Sequence, residues 1–245
     1  MRRLLLPLIV ALGLPPVAAA EVPSTARSRA AVERVRPDVE VALTEKGLRL
    51  GAPVFLRILK VEGSLEAWVL AGSGRYELFR AWPICTFSGV LGPKTEEGDL
   101  QAPEGFYFIP PGRMNPASSF HLSFDLGYPN AFDRAHGRTG QYLMVHGACV
   151  SIGCYAMTDP VIEQLWVLMD AAFRQGQAFV RAHVFPFAMT EENLAAHADA
   201  AHADFWAQLA VGWAAFEKTG VPPNVEVAGG RYVIEERTRE VTRRP

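Results

Sequence analysis

The chain has 245 residues, of which 49% are hydrophobic and 20% are charged, and its formal net charge at pH 7 is -2. This length and composition are sufficient for a sizeable buried core. The near-neutral balance excludes the strongly basic face of a nucleic-acid-binding protein, and no run of like charges predicts an interaction tail.

The first 20 residues have the pattern of a targeting segment. Arg2 and Arg3 supply positive charge, residues 4–17 are mostly apolar, and residues 18–20 are alanines. This order is typical of a secretory signal peptide cleaved after Ala20. The alternative is an uncleaved membrane anchor, but a spanning helix needs ~20 apolar residues and this stretch is shorter. We therefore expect an exported, periplasmic protein with no membrane span in the mature chain; plain secretion stays open.

The next segment, residues 21–49, is predicted to be helical and linker-like. Its helix is expected to end at Pro37, because proline disrupts the hydrogen bonds of a helix interior. From Pro53 onward, short alternating apolar runs are separated by Gly and Pro, which is typical of a meander of strands. The predicted strands cover residues 54–60, 65–70, 76–82, 105–109, 122–124 and 142–146.

Helices are predicted after Cys154, where Thr158 and Pro160 form a helix-start signal. The predicted elements are, in order, an amphipathic helix over 161–174, a strand over 178–185, helices that begin near Thr190 and Ala203, and a strand over 231–234. This order predicts a mixed α+β, mostly β fold: a sandwich or barrel-like catalytic core over residues 50–236, with helices after the active-site loop. Residues 237–245 would form a C-terminal tail.

The chain has three cysteines: Cys85, Cys149 and Cys154. In an oxidising compartment an odd number leaves at least one thiol free or paired with another chain. A disulfide between Cys85 and Cys149 would leave Cys154 as the thiol. The alternative is that Cys85 and Cys149 are small buried core residues, and the sequence leaves both open.

The segment from His146 to Cys154 carries the groups that acyl transfer needs. A thiol nucleophile requires a base, donors for the developing oxyanion, and exposure. His146 ends a predicted strand, and Gly153 permits close backbone approach, so that its N–H and that of Cys154 can form an oxyanion hole. The helix that follows would favour negative charge near the thiol. We predict Cys154 as the nucleophile and His146 as its base and proton donor, while Ser151 either orients His146 or caps a turn.

The same residues, with others upstream, resemble the catalytic domain of the L,D-transpeptidase (YkuD-type) family, and more narrowly its YafK-like branch. The resemblance covers roughly residues 50–235. The motifs that carry it are His146-Gly147, Ser151-x-Gly-Cys154, Tyr155-Ala-Met-Thr-Asp159, Pro83-Ile-Cys85, Ser88-Gly-x-Leu-Gly-Pro-Lys94, Ala102-Pro-Glu-Gly-Phe106 and Gly137-Arg-Thr-Gly140.

The resemblance implies peptidoglycan stem peptides as the substrate and no cofactor. Cys154 would attack the carbonyl of the third stem residue, a diamino acid, and form a thioester that passes to an amine or to water. His146, Ser151, Gly153 and Cys154 match the family's catalytic positions. Ile152 stands where the common signature has His, and the spacing from His146 to Cys154 is shorter.

These two departures look like the YafK-like branch, parts of which are associated with hydrolysis that releases wall-linked lipoprotein. The main prediction is therefore an acyltransferase for cell-wall remodelling. The alternatives are a cysteine hydrolase and a catalytically silent peptidoglycan-binding module.

A substrate-binding set is predicted around the nucleophile. Tyr128, Arg134 and Arg138 precede the strand of His146 and could bind a substrate carboxylate, or be ordinary loop residues. Tyr155, which follows the nucleophile, is included. The His and Asp spacings match no recognised metal-ligand pattern, so no metal is expected. The sequence leaves the oligomeric state open.

Overall fold

The computed structural model describes residues 21–239. The predicted signal peptide and residues 240–245 of the predicted tail lie outside the described residues. Within residues 21–239, no helix is both long and apolar enough to cross a membrane.

The described chain contains five α-helices, twelve strands and one 3-10 turn, Pro111–Arg113. The helices are α1 Ala26–Glu45, α2 Ala131–Ala135, α3 Asp159–Arg174, α4 Glu191–Ala196 and α5 Ala203–Thr219. The strands are β1 Val54–Leu59, β2 Ser64–Leu70, β3 Tyr76–Pro83, β4 Thr86–Phe87, β5 Gly105–Ile109, β6 Met114–Asn115, β7 Ser123–Asp125, β8 Met144–His146, β9 Tyr155–Ala156, β10 Val180–Phe185, β11 Asn224–Ala228 and β12 Arg231–Glu235.

The strands form two five-stranded sheets and a hairpin of β11 with β12. The first sheet has the order β3-β2-β1-β10-β5, in which β10 runs parallel to β1. The second has the order β4-β9-β8-β7-β6, in which β8 runs parallel to β9. Both orders are open, so the described residues form no closed barrel. The predicted mixed α+β, mostly β fold is confirmed.

Helix α3 lies at the centre of the main core. Its residues Leu165, Trp166 and Met169 are almost fully buried and pack in one apolar cluster with side chains of both sheets. Each such buried side chain contributes about 1.5–3 kcal/mol relative to an exposed one. Strand β1 is buried along all 6 residues because β2 and β10 flank it in the sheet and α3 packs nearby. Helix α3 also contacts the strand that ends at His146, and so joins the two sheets.

The prediction that Pro37 ends the first helix is wrong, because α1 continues through it to Glu45. An interior proline costs about 3 kcal/mol, since it removes a hydrogen bond and crowds the preceding turn. Both Pro37 and Glu33, whose carbonyl loses its partner, are exposed and can be hydrated. Val39 and Leu43, beyond the proline, are buried in the core, and α1 packs against α3. This burial offsets the cost of the proline.

Candidate active site

His146 is the last residue of β8 and lies between two neighbouring strands. It pairs with Ser123 of β7 and with Ala156 of β9, and its carbonyl accepts a hydrogen bond from Met157 N–H at 2.7 Å. The residue is only 2% exposed. The backbone of His146, from which the imidazole projects, is therefore held by pairing on both sides.

One hydrogen bond fixes the tautomer of His146. Its Nδ1 lies 2.6 Å from the carbonyl oxygen of Gly147. A carbonyl can only accept, so Nδ1 carries the proton and Nε2 keeps its lone pair. Burial lowers the pKa of His146, partly offset by this hydrogen bond. The neutral ring, tilted against Phe120 at a centroid distance of 4.7 Å, can therefore accept a proton at Nε2.

Cys154 is half-buried and free of any disulfide. Its Sγ accepts a hydrogen bond from Met144 N–H at 3.3 Å, and the thiol lies 3.8 Å from the carbonyl oxygen of Tyr142. Burial raises the pKa of the Cys154 thiol; the Met144 N–H and the charge of Lys94 act in the opposite direction. The net direction favours the protonated thiol over the thiolate.

The loop between His146 and Cys154 begins with a close backbone approach. A Cβ on Gly147 would lie 2.5 Å from Asp159 Oδ1 and 3.1 Å from the carbonyl oxygen of Phe120, so only glycine fits. Ala148 and Cys149 follow with φ of +66° and +54°. Such left-handed conformations cost non-glycine residues about 1–3 kcal/mol each and need support from the surroundings.

Three contacts supply that support. Asp159 Oδ1, at the start of α3, accepts a hydrogen bond from Ala148 N–H at 2.8 Å. Cys149 N–H donates to the carbonyl of Met157 at 3.3 Å. Cys149 is also bonded to Cys85 in a disulfide, which resolves the choice that the sequence left open.

Ser151 organises the loop and not the histidine. Its Oγ accepts hydrogen bonds from Cys154 N–H at 3.0 Å and Gly153 N–H at 3.3 Å, and donates to the Cys154 carbonyl at 2.6 Å. The sequence left two roles open for Ser151, orienting His146 or capping a turn, and these hydrogen bonds correspond to the turn cap. The two N–H groups predicted as oxyanion donors are thus held by Ser151 in this state.

His146 and Cys154 line one open groove with a volume of 730 Å³. Its walls also carry Lys94, which pairs with Asp99. Five exposed large apolar side chains, drawn from three stretches of chain, lie along it. These are Leu100, Phe120, Tyr142, Val150 and Ile152. The sequence motifs did not predict this apolar rim, because its three stretches of chain meet only in the folded protein.

The four predicted substrate-binding residues do not line this groove. Tyr155 is fully buried and its hydroxyl donates to the carbonyl of Pro103 at 2.8 Å. The Tyr128 hydroxyl lies 3.2 Å from the carbonyl oxygens of Lys94 and Thr139.

The two arginines of that set are also engaged elsewhere. Arg138 pairs with the buried Asp133 at 2.7 Å and lies over the rings of Phe132 and Phe205. Arg134 donates to the carbonyl of Pro129 and lines a separate small pocket. The structure therefore does not place these side chains in the groove that Cys154 lines.

The chain is 44% identical over 185 residues to the protein named "Putative L,D-transpeptidase YafK" of Escherichia coli K12, a match that covers 76% of this chain and 75% of that protein. The same figures hold for the protein of that name in Escherichia coli O157:H7. No family model matches the chain.

Two solved structures give more distant matches. The helical cell shape determining protein Pgp2 from Campylobacter jejuni aligns with a TM-score of 0.44 at 20% identity, over 74% of this chain and 66% of its own. Bdellovibrio bacteriovorus Bd1075 aligns with a TM-score of 0.41 at 20% identity, over 56% of this chain and 49% of its own.

The sequence identity to the Escherichia coli relatives places the chain in the L,D-transpeptidase (YkuD-type) family. Within that family it belongs to the YafK-like branch.

Proposed function

We propose that this protein is an exported cysteine acyltransferase of the L,D-transpeptidase type that acts on peptidoglycan stem peptides through a thioester. The observation that carries the proposal is that Cys154 and a buried His146 with a fixed tautomer face one groove. The family relationship supports the substrate class. The Cys85–Cys149 disulfide supports folding in an oxidising compartment, in agreement with the predicted export.

The first half-reaction forms the thioester. As Cys154 Sγ attacks the carbonyl of the third stem residue, the thiol proton passes to His146 Nε2. Because the Cys154 pKa is raised, proton removal accompanies attack and no thiolate accumulates beforehand. The tetrahedral oxyanion is stabilised by the N–H groups of Gly153 and Cys154 when they leave Ser151. The C–N bond then breaks and His146 returns the proton to the departing amine.

The second half-reaction decides between transfer and hydrolysis. His146 removes a proton from an incoming amine or water, which attacks the thioester and releases Cys154. Transfer to an amine is the main proposal. Water is the second candidate, because Ile152, 82% exposed beside the groove, stands where the common signature has His, a departure that resembles the branch in which hydrolysis occurs. In that case the protein would be a hydrolase releasing stem-peptide products or wall-linked lipoprotein.

The test uses a stem tetrapeptide with a diamino acid at its third position, incubated with and without an added amine, followed by mass spectrometry. A transferase gives the exchange product with the amine; a hydrolase gives the free tripeptide acid in both samples. Cys154→Ala should abolish both products while its far-UV circular dichroism stays native. Retained turnover in Cys154→Ala would exclude the proposed nucleophile.

The third alternative, a silent peptidoglycan-binding module, is distinguished by the same samples. It would give neither product, while binding to isolated sacculi would survive alkylation of Cys154.

A further inference from the structure

The loop that carries the nucleophile, residues 147–154, has little packing of its own. Ala148, Cys149, Val150 and Ile152 are all exposed. The hydrogen bonds of Ser151 join atoms within the loop and move with it, so they do not attach it to the rest of the protein. Among the described residues, its middle is attached by the hydrogen bonds of Ala148 and Cys149 and by one covalent link.

That covalent link ends on the frame of the second sheet. Cys85 N–H donates to the carbonyl of Ala156 at 2.9 Å, and the next residue, Thr86, pairs with Ala156 in the ladder of β4 with β9. Strand β9 begins directly after Cys154. The disulfide therefore fixes the middle of the loop to the start of β4. Strand β4 in turn pairs with β9, the strand that directly follows Cys154.

The backbone conformation of the loop at the disulfide is intrinsically unfavourable. Cys149 and its neighbour Ala148 both have the left-handed φ that L-residues avoid. Their two backbone hydrogen bonds lie at an exposed position, where water competes with Asp159 and Met157 as acceptors. Without the bond to Cys85, we expect the loop to relax toward commoner backbone conformations and to move Cys154 relative to Met144 N–H.

We propose that the Cys85–Cys149 disulfide is a positioning element of the active site. Acyl chemistry at Cys154 then requires that Cys85 and Cys149 are joined in the disulfide while Cys154 remains a free thiol. The acyl part of this inference rests on the proposed function. A dithiol reductant would give two electrons and two protons to the disulfide, leaving two thiols and its own cyclic disulfide, with Cys154 unchanged. A reductant added to protect the nucleophile would therefore lower activity.

The experiment compares oxidised wild type, wild type reduced with dithiothreitol, and the variant Cys85→Ala/Cys149→Ala. The readout is the rate of Cys154 acylation by a carbapenem, followed by intact mass. Misplacing a reacting group by about 1 Å can cost about 100-fold in rate, so we expect acylation to fall by about 10- to 100-fold in the reduced and variant proteins. Dithiothreitol should have no further effect on the double variant.

A second readout does not depend on the proposed function. Two rates should become faster in the double variant: hydrogen exchange of the 147–154 amides and alkylation of Cys154 by iodoacetamide. Alkylation needs only an accessible thiolate. If oxidised wild type gives no product from the stem tetrapeptide, the proposed function fails, and these two rates still test the loop.

All rates are measured where circular dichroism shows native structure in every sample. Acylation, exchange and alkylation within twofold of oxidised wild type would overturn the inference and leave the disulfide a general stabiliser. If the double variant does not fold, wild type that is reduced after folding gives the same comparison.

Discussion

The backbone N–H of Met144 donates to the sulfur of Cys154 at 3.3 Å. Strand β8 therefore supplies both the imidazole of His146 and a backbone dipole to the thiol. The N–H groups of Gly153 and Cys154 donate to Ser151 Oγ instead. Burial favours the neutral form of both side chains, since it raises the pKa of Cys154 and lowers that of His146.

The pH dependence of Cys154 alkylation should have a high midpoint. Burial disfavours the thiolate and raises the pKa of Cys154 above its ordinary value, so the rate of reaction with iodoacetamide should still be rising at pH 9. Cys85 and Cys149 do not react without reductant, so the intact mass reports Cys154 alone. The control is the same protein unfolded in urea with the disulfide intact. Its midpoint should lie at about 8.5. A native midpoint below the unfolded one would contradict the assignment.

Replacing His146 by Asn should separate catalysis from stability. The Asn side-chain amide can still donate to the Gly147 carbonyl, as Nδ1 does, but it has no base in place of Nε2. Carbapenem acylation should fall by about 10²- to 10⁴-fold, while the urea midpoint stays near wild type. In His146→Leu the rate should fall equally, and stability should fall by about 1–3 kcal/mol because a buried carbonyl loses its donor. An Asn variant that acylates within tenfold of wild type would exclude His146 as the base.

Gly147→Ala should disturb the junction between β8 and the nucleophile loop. The added methyl would meet Asp159 Oδ1 at 2.5 Å and the Phe120 carbonyl oxygen at 3.1 Å, so the loop or helix start must shift. We expect a loss of about 1–3 kcal/mol in urea denaturation, together with slower acylation. Gly112→Ala is the matched control, because a Cβ there meets nothing within 4 Å and its stability should change by less than about 0.5 kcal/mol. Equal behaviour of the two variants would mean that the close approach at Gly147 is not required.

Lys60→Met should test the buried ion pair between Lys60 and Glu104. Lys60 Nζ lies 2.9 Å from Glu104 Oε1, both side chains are fully buried, and Nζ also donates to the carbonyl of Ala102 at 2.7 Å. Burial lowers the pKa of Lys60, and the pair with Glu104 opposes that effect. Removing one partner leaves a buried carboxylate, so we expect a loss of about 3–5 kcal/mol in the free energy of unfolding.

The control for this pair is Lys218→Met, which breaks an exposed ion pair with Glu236. Its cost should be below about 1 kcal/mol, because water screens the interaction. Similar losses in the two variants would show that burial of the Lys60 pair has no special weight.

The elements that sequence patterns predicted correctly are those whose signal is local. Strand β2 alternates buried and half-buried residues along its length, and α3 carries a continuous apolar surface, so periodicity alone identifies them. Strands β4 and β9 were missed because each has two residues, and they exist only as pairing partners of each other and of β8. The short helix α2, which begins with a capping box of Asn130 and Asp133, was also missed.

Tyr155 shows what a local pattern could have added. It directly follows Cys154, and successive side chains of an extended strand point to opposite faces. With Cys154 at the groove, Tyr155 turns into the core, where its ring is fully buried. Proximity in sequence suggested substrate contact, whereas strand geometry places the two side chains apart.

The sequence by itself determined which chemical groups are available, because His146, Gly147, Ser151, Gly153 and Cys154 lie within one short segment. Only the tertiary structure decided how they are set. The tautomer of His146 follows from the path of the Gly147 carbonyl, and Gly147 is packed against Phe120 and Asp159. The loop is joined to Cys85, 64 residues before Cys149. The contacts of Gly147 and Cys149 join atoms that are distant along the chain, so no local pattern encodes them, and they exist only once the two sheets and α3 have packed. They also hold the backbone whose Gly147 carbonyl meets His146.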